Sequence, residues 1–350
     1  MLVMSENIII PEPAGKRAAL LDLFRIILCL GVFVYHLTPI RCSSGPFSVN
    51  GFLVMSGFLV GISVFGGRAF DSHAFYGSKC RRLLPMMMMA FILAVIWKVI
   101  YQEACPPWSI EDWGNFSIVA YVRHFNTPMW YMVVEVILLL SVPFLVFMSR
   151  AKWRLELSFV ALVIFVGFLF CQVPDNEMFG GGLYYSPLVR EWQFLAGILA
   201  ARYAHQWQIQ RFTTEGWYKW SLGLLFTVFL ISMGVLMVLK QTTDLNAWNY
   251  TFEFDAITTS FYVLLIPGLY CLRPQISRGM SHILARGAAL TYPIFLIHVV
   301  ARHVCEIVVT DIAGNVSYVI IAVITFIVSL IVAWGMLGLD QRIQGALKKH

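Results

Sequence analysis

The chain is 350 residues long, 59% of them hydrophobic and only 13% charged, and its mean hydropathy is positive. A soluble domain of this size needs far more charge to stay in solution, so the composition excludes that class and points to a polytopic membrane protein. The formal charge of +6 is no argument for a nucleic-acid partner, because in a membrane protein the placement of charge outweighs its sum.

Windows of about twenty apolar residues, each able to cross ~30 Å of hydrocarbon, recur along the sequence. They predict an all-α, polytopic integral membrane protein with ten transmembrane helices at 19–40, 46–66, 84–101, 127–148, 155–174, 185–204, 219–239, 251–272, 286–308 and 315–339. Residues 1–18 read as a cytoplasmic N-terminal segment without a cleavable signal peptide. Residues 19–339 form the membrane domain and 340–350 a cytoplasmic tail. Of the 25 Lys and Arg, Arg25, Lys98, Arg190 and Arg302 lie within spans, and Arg41, Arg123 and Lys240 fall on one side. All the rest fall on the other. The positive-inside rule makes that second side the cytosol and places both termini there.

The first helix contains DLFRIILCLGVFVYH, with Asp22, Arg25 and His36 in a segment bound for hydrocarbon. A charge at the bilayer centre costs at least ~2.5–3.5 kcal/mol, so each such group needs a partner, a cavity or a chemical role. Asp22 and Arg25 are three apart on one face near the cytosolic end and can pair. His36 lies eleven residues beyond Arg25, roughly 16 Å along the axis at 1.5 Å per residue, in the outer half.

The second helix holds GFLVMSGFLVG, whose Gly57 and Gly61 read as a helix-contact motif and whose Ser56 reads as a small packing residue. Before the third predicted helix, KCRRLLP places Lys79, Arg81 and Arg82 at the cytosolic surface. Glu135 lies in the fourth helix, Arg190 and Glu191 enter the sixth, and His298 sits near the middle of the ninth. Arg302 and Glu306 follow at i, i+4. Two histidines and a glutamate at comparable depth on three helices suggest a cavity inside the bundle.

The longest outer loop is acidic and aromatic, with Glu103, Trp108, Glu111, Asp112 and Trp113. The seven cysteines show no CxxC and no metal-type spacing. Cys42 and Cys105 face the same outer side, where a disulfide is open to them. HExxH, GxSxG, P-loop and GxGxxG motifs are absent, so a metal centre is not expected.

Taken together, LLDLFRIILCLGVFVYH, NGFLVMSGFLVG, SKCRRLLP, WYMVVEVILLLSVP, VREWQFLAGILA and TYPIFLIH resemble the signatures of the membrane acyltransferase-3 family in their order along the chain. In the family's Arg-x-x-Arg element the first position is Lys79 here, which keeps the charge without the bidentate fork. An aromatic four residues after the glutamate is replaced by Leu139. The resemblance implies a stand-alone membrane O-acyltransferase, without an SGNH domain, in a bacterial inner membrane. It moves an acyl group, commonly acetyl, from cytosolic acyl-CoA to a glycan or lipid-linked sugar acceptor. Acetyl-CoA is then a co-substrate, and acceptor and membrane lipid are the partners. On this resemblance Arg25, Lys79, Arg81 and Arg82 hold the coenzyme A phosphates. His36 acts as general base, with Glu135 orienting it or another donor and His298 assisting or holding the sugar. Direct transfer and an acyl-histidine intermediate are both compatible with these residues. A proton-coupled exporter of a glycan intermediate, with Glu135 and the histidines as relay, is the competing reading.

Overall fold

A computed structural model describes residues 19–37, 44–65, 70–100, 118–149, 153–172, 183–206, 251–271, 276–314 and 316–347, with a few positions between 224 and 235. Among them every regular element is helical. Besides a short 3-10 turn at Leu183–Tyr185, these are α1 (Ala19–Leu37), α2 (Ser44–Phe65), α3 (Ser72–Ile100), α4 (Ile118–Phe125), α5 (Met129–Ser149), α6 (Arg154–Gln172), α7 (Pro187–Gln206), α8 (Phe252–Cys271), α9 (Arg278–Ala313) and α10 (Tyr318–Leu347). Eight of them are long and apolar enough to cross a membrane. The predicted seventh span (219–239) lies largely outside the described residues, as do Cys42 and Cys105.

Three helices are longer than predicted. Helix α3 begins at Ser72, not at 84, so Lys79, Arg81 and Arg82 ride on its first turns and Pro85 lies inside it. The cause is a cap: Asp71 Oδ1 accepts from the backbone N–H of His73 at 2.9 Å and of Ala74 at 3.2 Å. Helices α9 and α10 also overrun their predicted spans, to 36 and 30 residues. The predicted tail is therefore helical up to Leu347. Helix α7 is not among the eight, because Arg190, Glu191 and Arg202 all fall within its 20 residues. It is nevertheless buried along most of its length, and its charged side chains turn to neighbours for partners, Arg190 to Asp255 and Glu191 to Ser141.

The bundle is inside-out relative to a soluble protein. Ile312, Trp334 and Val99 are 81%, 73% and 69% exposed, an apolar rim that requires lipid. Helix α2 is the centre, with 61% of its apolar window buried against 11% for α6 at the rim. It packs most extensively on α7, and also on α1 and α8, while α9 packs on α1 and α10. Both described chain ends reach the basic end of the bundle. Arg25 near the start of α1 and Asp340 near the end of α10 line one cavity there, and Gln344 donates to the Arg81 carbonyl.

Close approach of α2 and α7 depends on glycine. A Cβ on Gly57 would collide with the Phe194 carbonyl, and one on Gly197 with that of Val54. Both obstacles are backbone and cannot swing aside. Gly57→Val is therefore expected to destabilise the bundle by about 1–3 kcal/mol or more, seen as a lower unfolding midpoint and a smaller monodisperse fraction in detergent.

Candidate active site

A cavity of about 270 Å³ opens among α1, α2, α3, α5, α9 and α10. Arg25, Lys79 and Arg82 line it, and Glu135, Ser56, Tyr131, Tyr292 and Asp340 share it. Arg25 also pairs with Asp22 at 3.8 Å, so the predicted i, i+3 pair forms, with its oxygen and nitrogen near the limit of contact. Lys79 lies over the Phe75 ring, 5.4 Å from its centroid. Arg81 does not line the cavity. It is exposed, and its backbone carbonyl is the acceptor for Gln344. Three of the four expected phosphate ligands thus converge from two helices.

Glu135 is buried and accepts hydrogen bonds from the Ser56 hydroxyl and, at 3.3 Å, from Tyr131 Oη. These bonds place it with the cations rather than on either histidine. The residue types explain why: Tyr131 and Glu135 are one helical turn apart on α5 and face the same cavity, and Ser56 supplies the short donor from α2. Ser56, read from sequence as a packing residue, is part of the site. Tyr131 was legible in principle as the i−4 neighbour of an intramembrane glutamate, whereas Asp340 gave no local signal.

His36 and His298 come together at the other end. Their ring centroids are 5.1 Å apart and tilted by 51°. His298 is 1% exposed. Its Nδ1 lies 2.9 Å from the Phe295 carbonyl and 3.3 Å from that of Ile294. Both partners only accept, so Nδ1 carries the proton in the neutral ring and Nε2 presents a lone pair. Nε2 has no hydrogen-bond partner among the described residues, which leaves it available as an acceptor. Arg302 donates to the His36 backbone carbonyl and, through Nε, to Glu306 at 2.7 Å. The predicted i, i+4 pair therefore also anchors the last turn of α1 and with it the His36 side chain.

Arg190 and Glu191 part company. Arg190 is fully buried and pairs with Asp255 at 2.9 Å, while Glu191 accepts from Ser141 at 2.7 Å in a separate groove between α5, α6 and α7. Neither belongs to the cavity or the histidine pair.

The site thus has a cationic mouth with a carboxylate behind it, and an imidazole pair beyond. Such an arrangement can hold an anionic donor at one membrane surface and take a proton from a hydroxyl at depth. A family model described as an acyltransferase domain matches residues 19–337. No curated protein and no solved structure matches the chain.

Proposed function

The chain belongs to the acyltransferase-3 family and is a multi-pass membrane acyltransferase; from that premise we propose that it is an O-acetyltransferase. Its donor is cytosolic acetyl-CoA, and its acceptor is a hydroxyl of a cell-surface glycan or of its lipid-linked precursor. The membrane is the bacterial inner membrane, oriented with the basic end of the bundle in the cytosol, in keeping with the excess of Lys and Arg on that side.

The observation that carries this reading is the split of the site into a cationic cavity and a histidine pair. Arg25, Lys79 and Arg82 meet the donor phosphates by charge-assisted hydrogen bonds. The cavity is at the small end of ligand sites, roughly 300–1,000 Å³, and suits the pantetheine arm with its acyl group while the adenosine end stays at the surface. At the histidines, the acceptor oxygen attacks the thioester carbonyl carbon. The new C–O bond forms, the C–S bond breaks, and the hydroxyl proton passes by way of His36 to the departing thiolate. His298, with Nε2 bare, assists His36 or holds the acceptor sugar. Glu135 keeps the inner cavity polar next to the cations.

Purified protein in proteoliposomes, supplied with acetyl-CoA on the basic side and a glycan acceptor on the other, tests the proposal. Acetyl-ester formation with matching release of coenzyme A thiol is the expected result; absence of both with every acyl-CoA offered would overturn it.

Arg82 is exposed, so its contact with phosphate is screened and modest. Arg82→Ala is expected to raise the KM for acetyl-CoA about two- to fivefold at low salt, with the difference shrinking as ionic strength rises and the acceptor KM unchanged. An acetyl-CoA KM insensitive to this substitution would leave the basic element as a topology anchor.

A further inference from the structure

The donor cavity stops short of the histidines. Neither His36 nor His298 lines it. On α9 the lining residue furthest from the basic end is Phe295; on α2 it is Phe52, and on α5 it is Tyr131. Three helices therefore each contribute an aromatic ring at the same level. The centroids are 6.2 Å apart for Phe52–Tyr131, 6.0 Å for Phe52–Phe295 and 5.3 Å for Tyr131–Phe295. These are contact distances for aromatic pairs, and they leave no passage between the rings. Beyond them, the Phe295 centroid lies 6.1 Å from that of His298.

We infer that Phe52, Tyr131 and Phe295 form an aromatic partition between the donor cavity and the histidine pair, and that the displacement it demands selects short acyl groups over long ones. This rests on the donor reading given above. The thioester carbon must come level with the histidines for transfer, so the acyl group must pass the rings. An acetyl group brings one methyl; every further methylene requires a wider opening in a packed cluster.

The members are not equally free to move. Tyr131 is held by its hydrogen bond to Glu135 at 3.3 Å. Phe295 and Tyr131 are 6% and 7% exposed, whereas Phe52 is half-buried. Phe52 is thus the ring with most room to turn aside. The backbone of Phe295 is pinned, because its carbonyl holds His298 Nδ1 at 2.9 Å. Opening by a backbone shift of α9 would disorient the histidine, so only the side chains open the partition.

The test compares acetyl-, butyryl- and octanoyl-CoA in proteoliposomes for wild type, Phe52→Ala, Phe295→Leu and Tyr131→Phe, with coenzyme A thiol release as the readout. Wild type is expected to prefer acetyl-CoA. The octanoyl-to-acetyl ratio of kcat/KM is expected to rise on the order of tenfold or more in Phe52→Ala, since one methylene in an apolar pocket is worth roughly 10–200-fold. Phe295→Leu raises it less, and Tyr131→Phe, which keeps the ring but frees it from Glu135, raises it least. Should Phe52→Ala fail to run as a single species in detergent, Phe52→Leu replaces it with the same expected direction. An unchanged ratio in the Phe52 and Phe295 variants, with acetyl-CoA still turned over, overturns the partition alone. So does a wild-type enzyme that uses octanoyl-CoA as well as acetyl-CoA. Failure of wild type to turn over any acyl-CoA removes the donor reading, and the partition falls with it.

Discussion

Replacing His36 by glutamine is expected to lower acetyl transfer by a factor of ~10²–10⁴, the usual contribution of a positioned general base, without loss of the folded protein. Glutamine preserves most of the volume and can hydrogen-bond, but it cannot take a proton near neutral pH. The α1 anchor survives, because Arg302 binds the backbone carbonyl of residue 36 and not its side chain. A packing histidine would behave the opposite way, with stability falling first and activity per folded molecule retained. Turnover per monodisperse enzyme, compared with the unfolding midpoint of the same preparation, separates the two. Near-normal turnover by well-folded His36→Gln would transfer the base role to His298, whose Nε2 lone pair is already free of partners among the described residues. His298→Gln made in parallel then shows the larger loss.

Asp255→Ala is expected to be the most damaging substitution outside the site. Arg190 and Asp255 have side chains 0% and 1% exposed and meet at 2.9 Å. Around them, Arg190 Nε donates to the Tyr184 carbonyl at 2.6 Å and its guanidinium lies 3.9 Å from the Tyr184 ring centroid. Asn50 donates to the other Asp255 oxygen at 2.8 Å. Removing the carboxylate strands a guanidinium charge among α2, α7 and α8, and breaking a buried pair from one side costs about 3–5 kcal/mol. The measurement is yield of monodisperse protein and its unfolding midpoint. The charge argument makes a second demand: Arg190→Met combined with Asp255→Leu must recover part of what Asp255→Ala loses, since the stranded charge is gone. If the double variant is as poor as the single one, the damage comes from lost packing.

The sequence by itself determined the class of protein and the places where chemistry was possible. Apolar windows of spanning length are a local property, so helices in hydrocarbon could be read from them, and the charge count predicts an orientation. The eleven-residue step from Arg25 to His36 fixed two depths on one helix by geometry alone. The pair of glycines at 57 and 61 forecast a close helix contact, and the structure shows what they meet: the Phe194 carbonyl and, for Gly61, Ala201 and Ile198. Partnership was another matter. Hydrophobic periodicity is weak in helices that are apolar all round, so it does not say which face of α5 turns to which neighbour. Glu135 therefore looked like a companion of the histidines, and helix packing gave it to Ser56, Tyr131 and the inner cations instead. Asp255 lies 65 residues from Arg190, and the rings of the partition come from α2, α5 and α9. Such contacts exist only once the helices have chosen their neighbours. Where each group sits along its own helix was written locally in the chain; which groups share a cavity was decided by the way those helices pack.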